Sequence, residues 1–302
     1  MTLVAEMSRA LGLPIPFIEG IARKASYAYK VYQIPKRSGG MREISHPARP
    51  LKALQRWLLR AVVEQWPVHR AAYAYVRAGN IQRHALEHAT SSYLLRMDFE
   101  AFFRSITIDD IAHYLTASPA TESWSQADRE LFLQLVTRFG RLTIGAPTSP
   151  ALSNALCFDL DTHCTALAVD NDVRYTRYAD DLFFSTTKPD ILSAIPMAVE
   201  GIVSQLVVPE NLKINASKER HSSKRVRRQV TGIVLSSDGR AVLGRARKRF
   251  IRHQIHTLND LTSSERASLR GLISFATDIE SGFINDLILK YGHEVVMSAW
   301  KG

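Results

Sequence analysis

The chain of 302 residues contains only two cysteines, Cys157 and Cys164. Their spacing matches no zinc-ligand pattern, and one pair in a chain of this length is no disulfide framework. They read as reduced thiols in a buried helix. No apolar run is long enough to span a bilayer, and the N-terminus lacks the apolar core of a secretory signal. The expectation is a cytoplasmic protein with no membrane partner. Internal repeats and low-complexity tracts are also absent. The hydrophobic share of 46% and charged share of 23% are ordinary for a globular protein. The length suits two or three subdomains better than one minimal core.

Acidic residues are scarce in one window. Between Lys213 and His256, 13 Lys and Arg side chains face only Glu219 and Asp238. That window carries a net +11, whereas the whole chain carries +10. One contiguous stretch therefore holds the entire cationic excess. Such concentration points to a phosphate-binding surface and a polyanionic partner.

Proline and glycine punctuate the rest. Residues 1–30 read as short helices broken by Pro14 and Pro16. Tyr32–Ile44 reads as a hairpin turning at Ser38, Gly39 and Gly40. Pro50–Gln65 has helical periodicity, with Leu51, Leu54, Leu58 and Val62 on one face. Ser92–Asp98 reads as a strand, Ile108–Leu115 and Gln126–Arg138 as helices, and Gly145–Pro150 as a loop. Ala151–Leu167 reads as one buried helix and Val173–Ser185 as strand, tight turn and strand. A helix over Ile191–Leu206, a short strand over Val230–Leu235 and helices from about Gly244 complete the pattern. Strands and helices mix without a regular βαβ rhythm, which predicts an α+β fold.

The tight turn carries Asp180 and Asp181 side by side. Burying like charges together is costly unless cations neutralise them. A pair of hard divalent ions would do so. Asp98 ends another strand and supplies a third carboxylate. Nucleotidyl transfer needs such convergence: two Mg²⁺ ions, about 3.5–4 Å apart, activate the attacking hydroxyl and stabilise the leaving pyrophosphate. Mg²⁺ is retained by one or two carboxylates with phosphate oxygens and water, so three Asp side chains suit it.

The motifs around these acids resemble those of reverse transcriptases. Asp98–Phe103 (DFEAFF) is similar to the first palm motif, Gly145–Asn154 (GAPTSPALSN) to the intervening one and Tyr178–Asp181 (YADD) to the third. Ile34–Arg42 (IPKRSGGMR), with Pro47, Leu51 and Lys52, is similar to the fingers hairpin, and Leu212–Lys218 (LKINASK) to the fourth palm motif. Two further elements resemble the bacterial retron enzymes. His84–His88 (HALEH) is similar to their Asn-Ala-x-x-His element, with His84 departing at its first position. Val230–Gly232 matches their Val-Thr-Gly. Ile144 departs from the Gln that many relatives carry there.

The resemblance implies a right-hand polymerase, with N-terminal helices and fingers over 1–90, palm over 91–235 and a small helical thumb over 236–302. Asp98 and Asp180 would bind both Mg²⁺ ions, with Mn²⁺ as the substitute, and Asp181 would support them. Lys36 and Arg42 would hold the dNTP triphosphate, in a pocket that includes Pro147. Phe103 would exclude a ribose 2′-hydroxyl, and Lys218 would neutralise or protonate pyrophosphate. Tyr178, Gly145 and Ser149 would line primer and template. Expected RNA contacts are His84, His88, Arg227, Arg228, Val230, Thr231 and Gly232, then Arg245, Arg247, Lys248, Arg249 and Arg252 on the thumb. The implied activity is RNA-directed DNA synthesis on a structured noncoding RNA, primed from a guanosine 2′-hydroxyl. The product would be a branched RNA–single-stranded DNA hybrid that stays bound. An effector protein encoded nearby, acting in antiphage defence, is the implied partner. The rival readings are another stand-alone prokaryotic reverse transcriptase, of abortive-infection or CRISPR-associated type, and an RNA–DNA-binding scaffold that restrains an effector.

Overall fold

A computed structural model describes residues 2–36, 39–77 and 79–301. Helices α1 (Leu3–Leu11) and α2 (Ile15–Arg23) open the chain. Gly12, in the left-handed region, ends α1. Pro14 caps α2, but Pro16 does not break it: Pro16 lies in the first turn, where a missing N–H leaves no bond unmade. Strands β1 (Tyr29–Pro35) and β2 (Met41–Pro47) pair antiparallel, with Gly39 and Gly40 at positive φ in the connection. Ser38, expected in that turn, lies outside the described residues.

Helix α3 (Arg49–Ala61) buries Leu51, Leu54 and Leu58. It stops before the expected Val62, which leaves helical geometry, and Val63 takes the buried place. Next come α4 (Ile81–Glu87), β3 (Tyr93–Asp98), α5 (Phe102–Ser105), α6 (Ile108–Ala117) and α7 (Gln126–Val136). Reciprocal capping boxes, Thr107 with Asp110 and Ser125 with Asp128, start α6 and α7. The expected helix over Ala151–Leu167 is two, α8 (Ser149–Leu156) and α9 (Phe158–Asp170). Cys157 separates them at φ −86°, ψ 13°. Both cysteines are buried free thiols, and burial pushes each up to about 12.

Strands β4 (Arg174–Tyr178) and β5 (Asp181–Thr186) precede α10 (Ile195–Gln205) and β6 (Arg220–Ser223). Then follow β7 (Arg228–Val230), β8 (Ile233–Leu235), β9 (Ala241–Val242), α11 (Arg245–His256), α12 (Ser263–Ile279), α13 (Gly282–Tyr291) and α14 (His293–Lys301). The expected strand over Val230–Leu235 is thus a hairpin. Val230 pairs with Ile233, and Thr231 and Gly232 turn the chain at φ 46° and 85°. Positive φ at both positions gives a turn whose twist matches that of the flanking strands.

The chain forms two compact units, one of residues 1–77, 96–182 and 193–220, the other of 78–95, 183–192 and 221–302. Besides the β1–β2 hairpin there is a four-stranded sheet in the order β4-β5-β3-β6 and a three-stranded one in the order β7-β8-β9. Among the described residues, no helix is long and apolar enough to cross a membrane.

The first unit has an ionic core. Arg177 of β4 has no exposed surface, and neither has Asp161 of α9. The guanidinium donates to Asp161 through Nε at 2.8 Å and Nη2 at 2.6 Å. Its Nη1 reaches Asn154 Oδ1 and the Ala179 carbonyl, each at 3.2 Å. Tyr175 donates its hydroxyl to Asp161 at 2.7 Å. Every strong group has a partner, which a buried ion pair requires if its Coulomb attraction is to offset desolvation. Asp161→Asn leaves the Arg177 charge uncompensated. Denaturant unfolding should show a loss of about 3–5 kcal/mol, and a loss under about 1 kcal/mol would contradict this account of the core.

Candidate active site

Ala179 adopts φ 56° in the link between β4 and β5. Two backbone groups locate that link. Arg177 holds the Ala179 carbonyl from within the core, and Phe99 N–H donates to the Asp180 carbonyl at 3.1 Å. Phe99 directly follows Asp98, the last residue of β3, so the turn is fastened to the strand that ends in the third acid. On the other flank, Asn215 N–H donates to the Asp98 carbonyl and Glu100 N–H to that of Lys213, both at 2.8 Å. Asp98 is thereby clamped between the acidic turn and the 213–215 segment.

Both neighbours bring charge. Lys218 Nζ donates to Asp98 Oδ1 at 2.7 Å. Arg96 precedes Asp98 by two residues and so shares its face of the strand. Its guanidinium grips Asp181, with Nε to Oδ1 at 3.0 Å and Nη2 to the two carboxylate oxygens at 2.8 and 3.1 Å. Even so, burial pushes Asp181 up to about 7; Arg96 opposes the shift, and Asp180 and Asp98 reinforce it. Burial, with the Asp98 charge, also raises Asp180.

Acids that resist ionising together and offer only hard oxygen donors fit divalent cations. Among the described residues, no three His, Cys, Asp or Glu side chains already form a closed ligand cluster. Lys218 and Arg96 occupy two of the carboxylates instead. An open, half-complete donor set is what Mg²⁺ uses when substrate phosphates supply its other ligands.

The other expected residues are less evenly placed. Arg42 is exposed; burial raises both Asp180 and Tyr75, and the Arg42 charge opposes that rise. Phe103 is half-buried, with its ring 6.3 Å from that of Tyr75. Tyr178 and Pro147 are half-buried, and Lys36 is exposed on the hairpin. Gly145 has φ 117°, and a Cβ there would stand 2.6 Å from the Ser45 carbonyl oxygen. Only glycine fits so close an approach. Ser149 does not line a template: it is 1% exposed, and its hydroxyl accepts the Thr143 N–H at 3.3 Å.

Three participants escaped sequence reasoning. Arg96 was legible, because period-two alternation places it beside Asp98. Arg177 carried no such signal, since a charged residue inside a strand usually faces water. Tyr75 sits in a loop at φ 61°, half-exposed, where no periodicity could find it.

In the second unit, several expected RNA contacts are structural. His84 and His88 have no exposed surface. His84 packs edge-on against Phe183, and burial drives it down to about 3, so the ring stays neutral. His88 Nδ1 is hydrogen-bonded to Ser185 Oγ at 2.7 Å. The pair therefore packs against β5 and offers no exposed surface. Val230 is fully buried, and Arg228 is 1% exposed. The Arg228 guanidinium is spent on the carbonyls of Ala89, Ser91 and Ser236. Lys248 is tied to Glu280 at 2.5 Å. Arg247 reaches the Gly232 carbonyl and lies over Phe275, while Arg252 lies over Phe283. Arg227, Arg245 and Arg249 are exposed. Thr231 is β-branched at positive φ, and its buried hydroxyl has no partner among the described residues.

A carboxylate raised to about 7 destabilises the fold once it ionises. Its stabilising effect is complete below the unfolded-state value of about 3.9 and is lost as pH rises through 7. In chelator, thermal unfolding should show Asp181→Asn gaining on the unsubstituted protein between pH 4 and 7. Mg²⁺ at pH 8 should stabilise the unsubstituted protein more than the variant. Parallel curves in both tests would contradict the electrostatic account.

A family model for reverse transcriptases (RNA-dependent DNA polymerases) matches residues 34–239. The retron Ec83 reverse transcriptase of Escherichia coli is 35% identical over 283 residues, 90% of each chain. The retron Mx162 reverse transcriptase of Myxococcus xanthus is 36% identical over 258 residues, 78% of this chain and 53% of that one. Among solved structures, apo telomerase from Candida tropicalis superposes with a TM-score of 0.50 at 12% identity, over 90% of this chain and 63% of the other. That likeness shows the polymerase fold, a right hand of mixed helix and sheet. Sequence family, relatives and fold agree: the chain belongs to the bacterial retron reverse transcriptases and is an RNA-directed DNA polymerase.

Proposed function

We propose that Asp98, Asp180 and Asp181 form the catalytic centre, and that the enzyme copies a noncoding RNA of its own retron. The observation that carries this reading is the backbone clamp joining the end of β3, the acidic turn and the segment that delivers Lys218. It ties together the backbone segments that carry the three carboxylates and Lys218. Asp98 and Asp180 would hold two Mg²⁺ ions, which when bound activate the attacking hydroxyl and neutralise the departing pyrophosphate.

The chain's own groups divide the remaining work. Lys218, about half exposed, is free to swing from Asp98 to the leaving phosphates and give up a proton there. Arg42 and Lys36 reach the triphosphate from the hairpin. Phe103, backed by Tyr75, stands where a ribose 2′-hydroxyl would intrude, and Tyr178 supports the primer end. Arg96 keeps Asp181 oriented. On this reading fingers, palm and thumb span 1–90, 91–235 and 236–302.

For RNA recognition we assign the Thr231–Gly232 turn with Arg227, Arg245 and Arg249. The strained, unpartnered Thr231 hydroxyl and the exposed cations support this choice. Kinship with retron enzymes supports priming from a guanosine 2′-hydroxyl, a branched RNA–DNA product that stays bound, a cytoplasmic setting, and service in antiphage defence with an effector encoded nearby.

Sequencing of nucleic acid that copurifies with the protein tests the core of this proposal. The unsubstituted enzyme should carry a short DNA covalently joined to one specific RNA. Replacing both Asp180 and Asp181 by Ala should leave the RNA bound and remove the DNA. DNA on the variant would refute the catalytic assignment, and unjoined DNA on the unsubstituted enzyme would refute the priming mode.

A further inference from the structure

We propose that the turn Arg138–Arg141, together with Arg104 and Tyr27, is a binding site for single-stranded RNA, distinct from the carboxylate cluster. The proposal rests on the chain being an RNA-copying polymerase and names a place where uncopied template is held.

The turn is unusual in what it presents. Helix α7 ends at Val136, and Arg138 and Arg141 then exchange backbone hydrogen bonds at 2.9 and 3.3 Å. Phe139 and Gly140 fill the two turn positions at φ 50° and 70°. Asn, Asp or Gly normally takes the first of these, because a bulky side chain at positive φ is strained. Phe139 accepts that strain while 56% exposed. Burial does not offset it, and strain without a packing gain marks functional positions.

The surroundings suit a nucleotide. Tyr27, 80% exposed, meets the Phe139 ring edge-on with centroids 5.4 Å apart. The Arg138 guanidinium lies 4.8 Å from the centre of Phe139, and its Nε is buried without a partner among the described residues. Beside them a cavity of about 440 Å³ is lined by Glu43, Arg104, Arg138, Phe139 and Arg141. Arg104 pairs with Glu43, Arg138 stands 3.8 Å from the same carboxylate, and Arg141 donates to the Arg104 carbonyl at 2.7 Å. Two guanidiniums thus share one acid, and a third is held beside them by a backbone carbonyl. Exposed aromatics for stacking, with guanidinium forks for phosphates, are the recognition chemistry of single-stranded nucleic acid.

Position links the cavity to the reaction. Arg42 and Glu43 are neighbours on β2 and face opposite ways by strand alternation. Arg42 bears electrostatically on Asp180, whereas Glu43 lines this cavity. Phe103 and Arg104 divide similarly, Phe103 toward Tyr75 and Arg104 into the cavity. The walls are joined where Ser45 N–H donates to the Ile144 carbonyl at 2.8 Å. An unpaired template strand held here lies one residue's width from the nucleotide pocket.

Phe139→Asn separates binding from folding, since Asn suits the turn. The probes are DNA primers on RNA templates whose single-stranded 5′ overhang is about one or about ten nucleotides, spanning the usual footprint. The unsubstituted enzyme should bind the long overhang more tightly. Phe139→Asn should remove roughly ten-fold of that preference, as loss of one stacked base does. Its melting temperature and its single-nucleotide addition on the short overhang should not change. Arg141→Gln should lower the salt dependence of long-overhang binding by about one phosphate contact, and Glu43→Gln, which frees Arg104, should strengthen that binding. An overhang preference that survives Phe139→Asn overturns the proposal. So does equal loss on both probes, or loss of a copurifying protein with RNA binding unchanged. If the unsubstituted enzyme extends neither probe, the polymerase reading fails instead.

Discussion

Three carboxylates in one half-dry corner repel each other, and the palm is organised around that repulsion. Burial, reinforced by the neighbouring acids, raises Asp180 and Asp181. Lys218 and Arg96 supply charge directly. Arg177 braces the turn from beneath, through the carbonyl of Ala179. The cost of assembling like charges is met by core interactions, and the same cost makes the corner receptive to divalent ions.

This explains why so much ionic material is buried in the first unit. A turn with Ala179 in the left-handed region and two acids after it has little intrinsic reason to persist. The Arg177–Asp161 pair, with Tyr175 and Asn154, fixes it from below, and the Phe99 and Asn215 amides fix Asp98 from both sides. The second unit applies similar logic to β5. His84 and His88 pack on Phe183 and Ser185, and Arg228 fastens the Thr231–Gly232 hairpin to the end of α4. The His84–His88 segment and the Val230–Gly232 hairpin thereby serve the packing of this unit.

Linear motifs made part of this visible in advance. The β1–β2 hairpin, β3 and the acidic turn were legible because glycine placement and period-two patterns are local signals. The juxtaposition of Asp98 with Asp180 was legible only through motif order. What stayed hidden depended on three-dimensional burial. A histidine at i and another at i+4 look alike whether they face solvent or a sheet, so His84 and His88 were misplaced. Cationic density could not separate Arg228 and Lys248, which hold the fold, from Arg227, Arg245 and Arg249, which are exposed. Thr231 at positive φ defied β-propensity, so a hairpin read as a strand, and nothing local announced the break at Cys157. Nothing local marks Arg138–Arg141, because its meaning lies in a backbone angle.

On the proposed reading the three carboxylates share one metal centre. Fe²⁺ replaces Mg²⁺ in oxygen-ligated sites, and with peroxide it cuts the backbone close to where it binds. Loading the enzyme with Fe²⁺ and mapping the fragments tests the claim directly. Cuts clustered near Asp98, near Ala179–Asp181 and near Asn215, all suppressed by excess Mg²⁺, are predicted. Cuts confined to other segments, or cleavage indifferent to Mg²⁺, would contradict it.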